Sequence, residues 1–182
     1  ASHSFLTDVV ETRCGTSLLL AVVFHEVASR AGHRFELIGV PGKTLLTLGF
    51  GGEVLLFDPS DEGRPLERNE VAELGGPQQP FREGWLRPLE RAQVLARILG
   101  TLKADYWRSS DYERSLTTIR MLLEIRPDDP REIRDRGRIL FMLKRYREAV
   151  EAFENYLAFH PYADDAEVVR MLIVEARQGL AQ

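Results

Sequence analysis

Two stretches that repeat each other 34 residues apart decide the fold of the second half of the chain. They are residues 112–127, YERSLTTIRMLLEIRP, and residues 146–161, YREAVEAFENYLAFHP. The alignment needs no gaps and pairs residues of like character: Tyr112 with Tyr146, Ser115 with Ala149, Ile119 with Phe153, Leu123 with Leu157 and Pro127 with Pro161. Apolar residues recur at helical spacing in both copies. A period of this length predicts helical hairpins that stack on one another.

The pattern resembles the tetratricopeptide repeat, which has small residues where its paired helices approach and a proline after the second helix. Gly137 stands at the small position of a first helix, and Lys103 stands at the same position one period earlier. We therefore predict an all-α tetratricopeptide-like module over residues 89–182. It includes a helix at 90–109 and a terminal helix at 164–180.

The chain before residue 89 has a different pattern. Residues 17–31, SLLLAVVFHEVASRA, are apolar on nearly every face, begin with a serine that can cap a helix, and stop at Gly32, so they predict a buried helix. Three short runs rich in Leu, Val, Ile and Phe predict strands, at residues 34–40, 43–50 and 53–57. A connection rich in proline follows at residues 59–88. The predicted fold is α+β, with a helix-plus-antiparallel-sheet core over residues 1–88 and all-α hairpins after it.

Composition excludes several classes of function. The net charge is −4 with acids and bases interleaved, so no basic track for nucleic acid is expected. The longest apolar run, Leu18 to Phe24, is far shorter than the roughly 18 residues that span a bilayer. One cysteine and four scattered histidines lack metal-ligand spacing. We predict a cytoplasmic chain with no cofactor, no metal, and neither a membrane nor a nucleic-acid partner.

The order of a helix, three strands and an Asp-Pro pair resembles the core of papain-like and transglutaminase folds. Those enzymes use a cysteine at the start of the central helix, a histidine base on a following strand and an aspartate that orients the histidine. Fifteen residues before Gly32, the interval usual in transglutaminase-like cores, stands Ser17 instead of cysteine. Lys43 stands in place of the histidine. Only Asp58 matches the third position.

Six short stretches look like the SirB-type transglutaminase-like proteins, which join such a core to tetratricopeptide-like helices. They are Ser4-Phe5-Leu6, Arg13-Cys14-Gly15, Ser17-Leu18-Leu19-Leu20, Val40-Pro41-Gly42-Lys43, Asp58-Pro59 and Arg134-Asp135-Arg136-Gly137. Members usually carry a further helical segment before the first stretch, so the resemblance implies that the chain is a fragment. They often have proline at the Ser17 position and histidine at the Lys43 position. The resemblance therefore implies weak or absent catalysis here.

Each candidate for chemistry has a structural alternative. Ser17 is either a nucleophile activated by Lys43 or a helix cap. Lys43 is either that base or, if the hairpin is regular, the ion-pair partner of Asp58. Asp58 either takes part in catalysis or anchors the turn after its strand. Cys14 is either an alternative, reactive nucleophile or a small buried or half-buried thiol.

Two features are candidates for partner binding. The run REIRDRGR carries Arg131, Arg134, Arg136 and Arg138, which form either a solvated, salt-bridged face or a contact for an acidic peptide. Trp85 is either a recognition anchor or a residue that packs its loop onto the core. The favoured function is a pseudoenzyme that acts as a protein-binding, scaffold or regulatory protein, with a protein or peptide as partner. The alternative is a hydrolase or acyltransferase that uses Ser17 or Cys14.

Overall fold

A computed structural model describes residues 5–180. The chain forms two compact units, a first unit that ends at Ile98 and a second unit that begins at Leu99. The domain boundary predicted at residues 88/89 stays a prediction. Within residues 5–180, no helix has the length and apolar character needed to cross a membrane.

The first unit combines three short helical segments and one long helix with a four-stranded antiparallel sheet. Its helices are α1 (Leu6–Thr12), α2 (Ser17–Arg30) and α3 (Arg68–Glu73), with a 3₁₀ turn at Glu83–Leu86. Its strands, in sheet order, are β1 (Glu36–Val40), β2 (Lys43–Phe50), β3 (Glu53–Asp58) and β4 (Arg64–Leu66). The predicted helix and the three predicted strands are all present.

The fourth strand differs from the prediction, which treats residues 59–88 as a connecting loop. β4 has only three residues and contains Pro65, so it shows no alternation of apolar and polar residues. A proline that cannot donate to a ladder is tolerated at a sheet edge, which is where β4 lies.

Apolar clusters cover both faces of the sheet. On one face, Leu37 and Leu46 pack with Ala21 of α2. On the other face, Ile38 and Leu45 pack with residues of α3 and of the proline-rich connection. This two-sided burial explains why β2 reads as a continuous apolar run.

The second unit is entirely helical. Its elements are the C-terminal part of α4 (Arg91–Arg108), α5 (Tyr112–Ile125), α6 (Pro130–Met142), α7 (Tyr146–Phe159) and α8 (Ala166–Gly179). Each helix from α5 to α8 packs against the next one. Gly137 of α6 lies against the ring of the fully buried Phe153 of α7, and a Cβ at residue 137 would lie 2.5 Å from two ring carbons. The small residue of the repeat pattern therefore allows the two helices to approach.

Candidate functional site

Ser17, at the position of the missing nucleophile, joins α2 to the sheet. Its Oγ accepts a hydrogen bond from the backbone N of Thr44 at 3.1 Å. The predicted cap was wrong by one residue, because the cap of α2 is Thr16, whose Oγ1 accepts from Leu19 N. Both residues are good cap formers, so sequence alone did not separate them. The Ser17 hydroxyl has a structural partner in β2.

Lys43 and Asp58 form an ion pair across the β2–β3 hairpin. Lys43 Nζ lies 2.6 Å from Asp58 Oδ2. The register aligns Leu46 with Phe57, so Asp58 lies opposite Leu45 and Lys43 is its diagonal neighbour on the same face of the sheet. This is the ion pair that a regular hairpin predicted. The Asp58 side chain is only 4% exposed, whereas Lys43 is 39% exposed.

Asp58 also anchors the turn between β3 and β4. Its Oδ1 accepts hydrogen bonds from the backbone N and the hydroxyl of Ser60, and its backbone oxygen accepts from Gly63 N at 2.9 Å. Burial alone would raise the pKa of Asp58, but the hydrogen bonds from Lys43 and Ser60 outweigh it, so the pKa lies below its ordinary value. The carboxylate is thus ionised, and both of its oxygens are occupied.

The contacts of Ser17 and Lys43 test the hypothesis that Lys43 activates Ser17 as a nucleophile. A lysine base must accept the proton of the serine hydroxyl. Here Lys43 Nζ donates to Asp58, and Ser17 Oγ is engaged by the backbone of β2. Among residues 5–180, no hydrogen bond joins Lys43 Nζ to Ser17 Oγ, and the geometry favours the structural alternatives for Lys43 and Asp58.

Cys14 is exposed, so its predicted burial was wrong. It lies in the short connection between α1 and α2, after α1 ends at Arg13 in the left-handed conformation, and outside both apolar faces of the sheet. His25 stands eleven residues further on, in α2, where its Nδ1 donates to Phe35 O at 2.7 Å, and among residues 5–180 no imidazole is hydrogen-bonded to Cys14. Within residues 5–180, no cluster of three or more histidine, cysteine or acidic side chains could hold a metal ion.

Trp85 packs its loop onto the sheet. Its ring meets Phe81 edge to face with centroids 5.7 Å apart, and it contacts the cluster that contains Ile38 and Leu45. It is half-buried. The structure favours the packing alternative over a recognition anchor.

The second unit has a cavity of about 420 Å³ that contains two of the four predicted arginines. Its lining residues are Lys103, Ala104, Trp107, Arg108, Arg134, Asp135 and Arg138. Arg134 and Arg138 are four residues apart and share one face of α6. Arg131 and Arg136 are not among the lining residues. The pKa of Glu148 in α7 is lowered, mainly by its hydrogen bond from Arg145, and the charges of Arg120 and Arg136 add smaller effects.

Lys103 is the central cation of this region. Its Nζ lies 2.8 Å from Glu132 Oε1 and 2.9 Å from Asp135 Oδ2, and it ties α4 to α6. Burial alone would lower the pKa of Lys103, but the hydrogen bonds to Glu132 and Asp135 outweigh it, so the pKa is raised. The ammonium is therefore charged, and it is fully used within the unit.

The two arginines that α6 contributes to the cavity, Arg134 and Arg138, differ in how firmly they are held. Arg134 donates to Asp165 Oδ2 at 2.9 Å and to Asp135 Oδ1 at 3.1 Å. Arg138 lies 3.5 Å from Asp165 Oδ2, an oxygen that already accepts from Arg134. Tyr156 OH donates to the other oxygen of Asp165 at 2.7 Å. Of these two, Arg138 is thus the guanidinium that can turn to a ligand at lower cost.

Sequence reasoning missed Lys103 and Trp107 as cavity residues. A signal was present for Lys103, because the 34-residue period places it at the position of Gly137. A charged side chain where the repeat has a small residue indicates an ionic contact between neighbouring repeats. No comparable signal marked Trp107.

Comparison with known proteins identifies the class to which this fold and site belong. The family model described as the transglutaminase-like superfamily matches residues 1–100, more than half of the chain, and the tetratricopeptide repeat model matches residues 102–174. The chain belongs to the transglutaminase-like superfamily, and its C-terminal helices are tetratricopeptide repeats. The repeats suggest protein–protein interaction.

Individual relatives confirm the predicted SirB-type resemblance. The chain is 31% identical over 180 residues, 95% of its length, to a UPF0162 protein of Xylella fastidiosa. It is 28% identical over 173 residues to UPF0162 protein YchA of Escherichia coli, and 26% identical over 174 residues to Protein SirB1 of Salmonella typhimurium, in each case over 93% of its length. The chain spans 64% of the length of each of these relatives. Of the stretches that suggested the resemblance, only Ser4 lies outside the described residues.

Proposed function

We propose that the chain is a non-catalytic protein-binding module that captures acidic peptide segments in the cavity of the second unit. The observation that carries the proposal is the loosely held guanidinium of Arg138, which lines the same cavity as the indole of Trp107. An acidic residue of a peptide would pair with Arg138, and a neighbouring apolar side chain would cover Trp107 and Ala104.

The charges around the cavity support an anionic ligand. Lys103 and Arg134 are already neutralised by Glu132, Asp135 and Asp165, and Arg108 is paired with Asp105. A further cation would meet Arg138 without a free carboxylate to compensate. A carboxylate ligand instead replaces the weak Arg138–Asp165 contact with a charge-assisted hydrogen bond.

The absence of catalysis is the second part of the proposal. It is supported by the serine and the lysine that stand at the matched cysteine and histidine positions, and by the donation of Lys43 Nζ to Asp58. The exposed Cys14 makes no hydrogen bond to an imidazole among residues 5–180, so it lacks the base that a cysteine mechanism needs.

A peptide library displayed on phage tests the binding proposal. The library is panned in parallel against the wild-type chain, Arg138→Ala and Arg136→Ala, since the last variant removes the same charge from α6 outside the cavity. We expect wild type and Arg136→Ala to enrich peptides with Asp or Glu next to an apolar residue, and Arg138→Ala to lose them. Enrichment of no peptide, or equal enrichment on Arg138→Ala, would overturn the proposal.

A further inference from the structure

The first unit contains a second cavity, of about 710 Å³, that runs along α2. One wall is the stripe of Leu20, Val23, Phe24 and Val27, and Leu48 of β2 faces the same space. The spacing of the stripe, at i, i+3, i+4 and i+7, keeps these side chains on one face of the helix. The volume lies within the roughly 300–1,000 Å³ of small-molecule pockets, and a mostly apolar lining is typical of them.

The β3–β4 turn that Asp58 anchors forms another part of the lining and meets the stripe, since a Cβ at Gly63 would lie 3.4 Å from a ring carbon of Phe24. It contributes Pro59, Glu62 and Gly63 to the cavity. Glu62 and Gly63 have φ values of 53° and 74°, in the left-handed region, and the bond from Gly63 N to Asp58 O holds the turn closed. The Lys43–Asp58 pair at the former catalytic position therefore fixes a preformed wall.

The cavity carries one formal charge. Glu62 is the only acidic lining residue, and the structure gives it no ion-pair partner within residues 5–180; the imidazole of His33 is the other polar side chain of the lining. The other two acids of the turn are neutralised, Asp58 by Lys43 and Asp61 by Arg64 at 2.8 Å. An apolar space with one unpaired carboxylate at its rim complements a ligand with an apolar body and a cationic head.

We propose that this cavity binds a small amphiphile with a hydrocarbon body and an amine head group. The hydrocarbon lies against the Leu20–Val27 stripe, and the ammonium pairs with Glu62. The site is in the first unit and shares no residue with the cavity of the second unit. Failure of the proposed function would therefore not contradict this proposal, and the reverse also holds.

The head-group and chain-length preferences of the purified chain test the proposal. Octylamine, decylamine and decanoate are titrated by calorimetry below their micellar concentrations. We expect one saturable site, decylamine binding roughly tenfold more tightly than octylamine because two more methylenes are buried, and decanoate binding at least tenfold more weakly than decylamine. No saturable decylamine binding, or equal binding of decanoate, overturns the proposal.

Three variants locate the site. Val27→Gln places an amide in the stripe and should weaken decylamine roughly tenfold, whereas Val174→Gln makes the same change at a comparably exposed valine of α8 and should have no effect. Glu62→Gln should remove the preference for decylamine over decanoate. Equal decylamine affinity for wild type and Val27→Gln contradicts the assignment. Self-association that Val27→Gln abolishes, measured by sedimentation, would instead make a second copy the occupant.

Discussion

Lys43 Nζ donates a hydrogen bond to Asp58 Oδ2 at 2.6 Å, at the two positions where the transglutaminase-like resemblance implies a histidine and its aspartate. The contact joins these two positions with an ammonium in place of an imidazole. Its present effect is structural, because the same Asp58 holds the β3–β4 turn through Ser60 and Gly63.

The Asp58→Asn variant should lose stability in a pH-dependent way. Removing the charge weakens the bonds from Lys43 and Ser60, and we expect a loss of about 1–3 kcal/mol in the free energy of unfolding at pH 7. Since the folded-state pKa of Asp58 is lowered from 3.8, its contribution is present above about pH 3.8 and is lost as the pH falls through the lowered pKa. Urea unfolding at several pH values measures the difference between variant and wild type.

The control for this variant is Asp61→Asn. Asp61 pairs with Arg64 in the same turn but is 59% exposed, so its loss should cost no more than about 1 kcal/mol. A difference between Asp58→Asn and wild type that does not shrink in acid would show that the carboxylate charge is not what stabilises the turn.

Replacing Lys103 with methionine should destabilise the second unit strongly. The change leaves Glu132 and Asp135, which are 13% and 15% exposed, without their shared cation, and we expect a loss of about 3–5 kcal/mol. Arg108→Met is the matched control on α4, because Arg108 is 73% exposed where it meets Asp105. Thermal unfolding followed by circular dichroism measures both. Similar midpoints for the two variants would contradict the central place of Lys103.

The Gly137→Ala variant should be less stable than wild type, although alanine favours helices more than glycine does. The new Cβ would overlap the buried ring of Phe153, and overpacking of this kind costs about 1–3 kcal/mol. Gly100→Ala in α4 is the control, because nothing lies within 4 Å of the position that its new methyl group would take, and the helix should gain about 0.5–1 kcal/mol. Denaturation midpoints should shift in opposite directions. A stabilising Gly137→Ala would contradict the close approach of α6 and α7.

Active-site labelling tests whether the first unit has a nucleophile. We expect no fluorophosphonate adduct at Ser17. The exposed Cys14 should react with iodoacetamide at the rate of an ordinary thiol, and Lys43→Met should leave that rate unchanged. Mass spectrometry of peptides gives the sites and rates. Fast, stoichiometric labelling of either residue that disappears in Lys43→Met would restore the hydrolase or acyltransferase alternative.

The helices and strands whose residues follow a regular spacing were predictable from the sequence. The 34-residue repeat indicated the helices of the second unit, and the apolar runs indicated α2 and the first three strands. The Lys43–Asp58 pair followed from the regular register of a hairpin. Each of these depends on local spacing, which a single sequence displays.

Features that depend on tertiary packing were missed. β4 forms because an existing edge strand offers it partners, and its own three residues carry no pattern. The burial assigned to Cys14 was wrong because its small size says nothing about which side of a connection faces solvent. The peptide cavity joins Arg138 of α6 to Trp107 of α4, and that meeting depends on how the two helices pack.

The affinity of one library-selected acidic peptide tests the proposed function most directly. Fluorescence anisotropy is measured with wild type, Arg138→Ala and Arg136→Ala, and with a peptide whose acidic residues are replaced by their amides. Arg138→Ala and the amide peptide should each weaken binding roughly tenfold or more, while Arg136→Ala stays within about twofold of wild type. Equal affinities for wild type and Arg138→Ala would contradict capture of acidic peptides by this cavity.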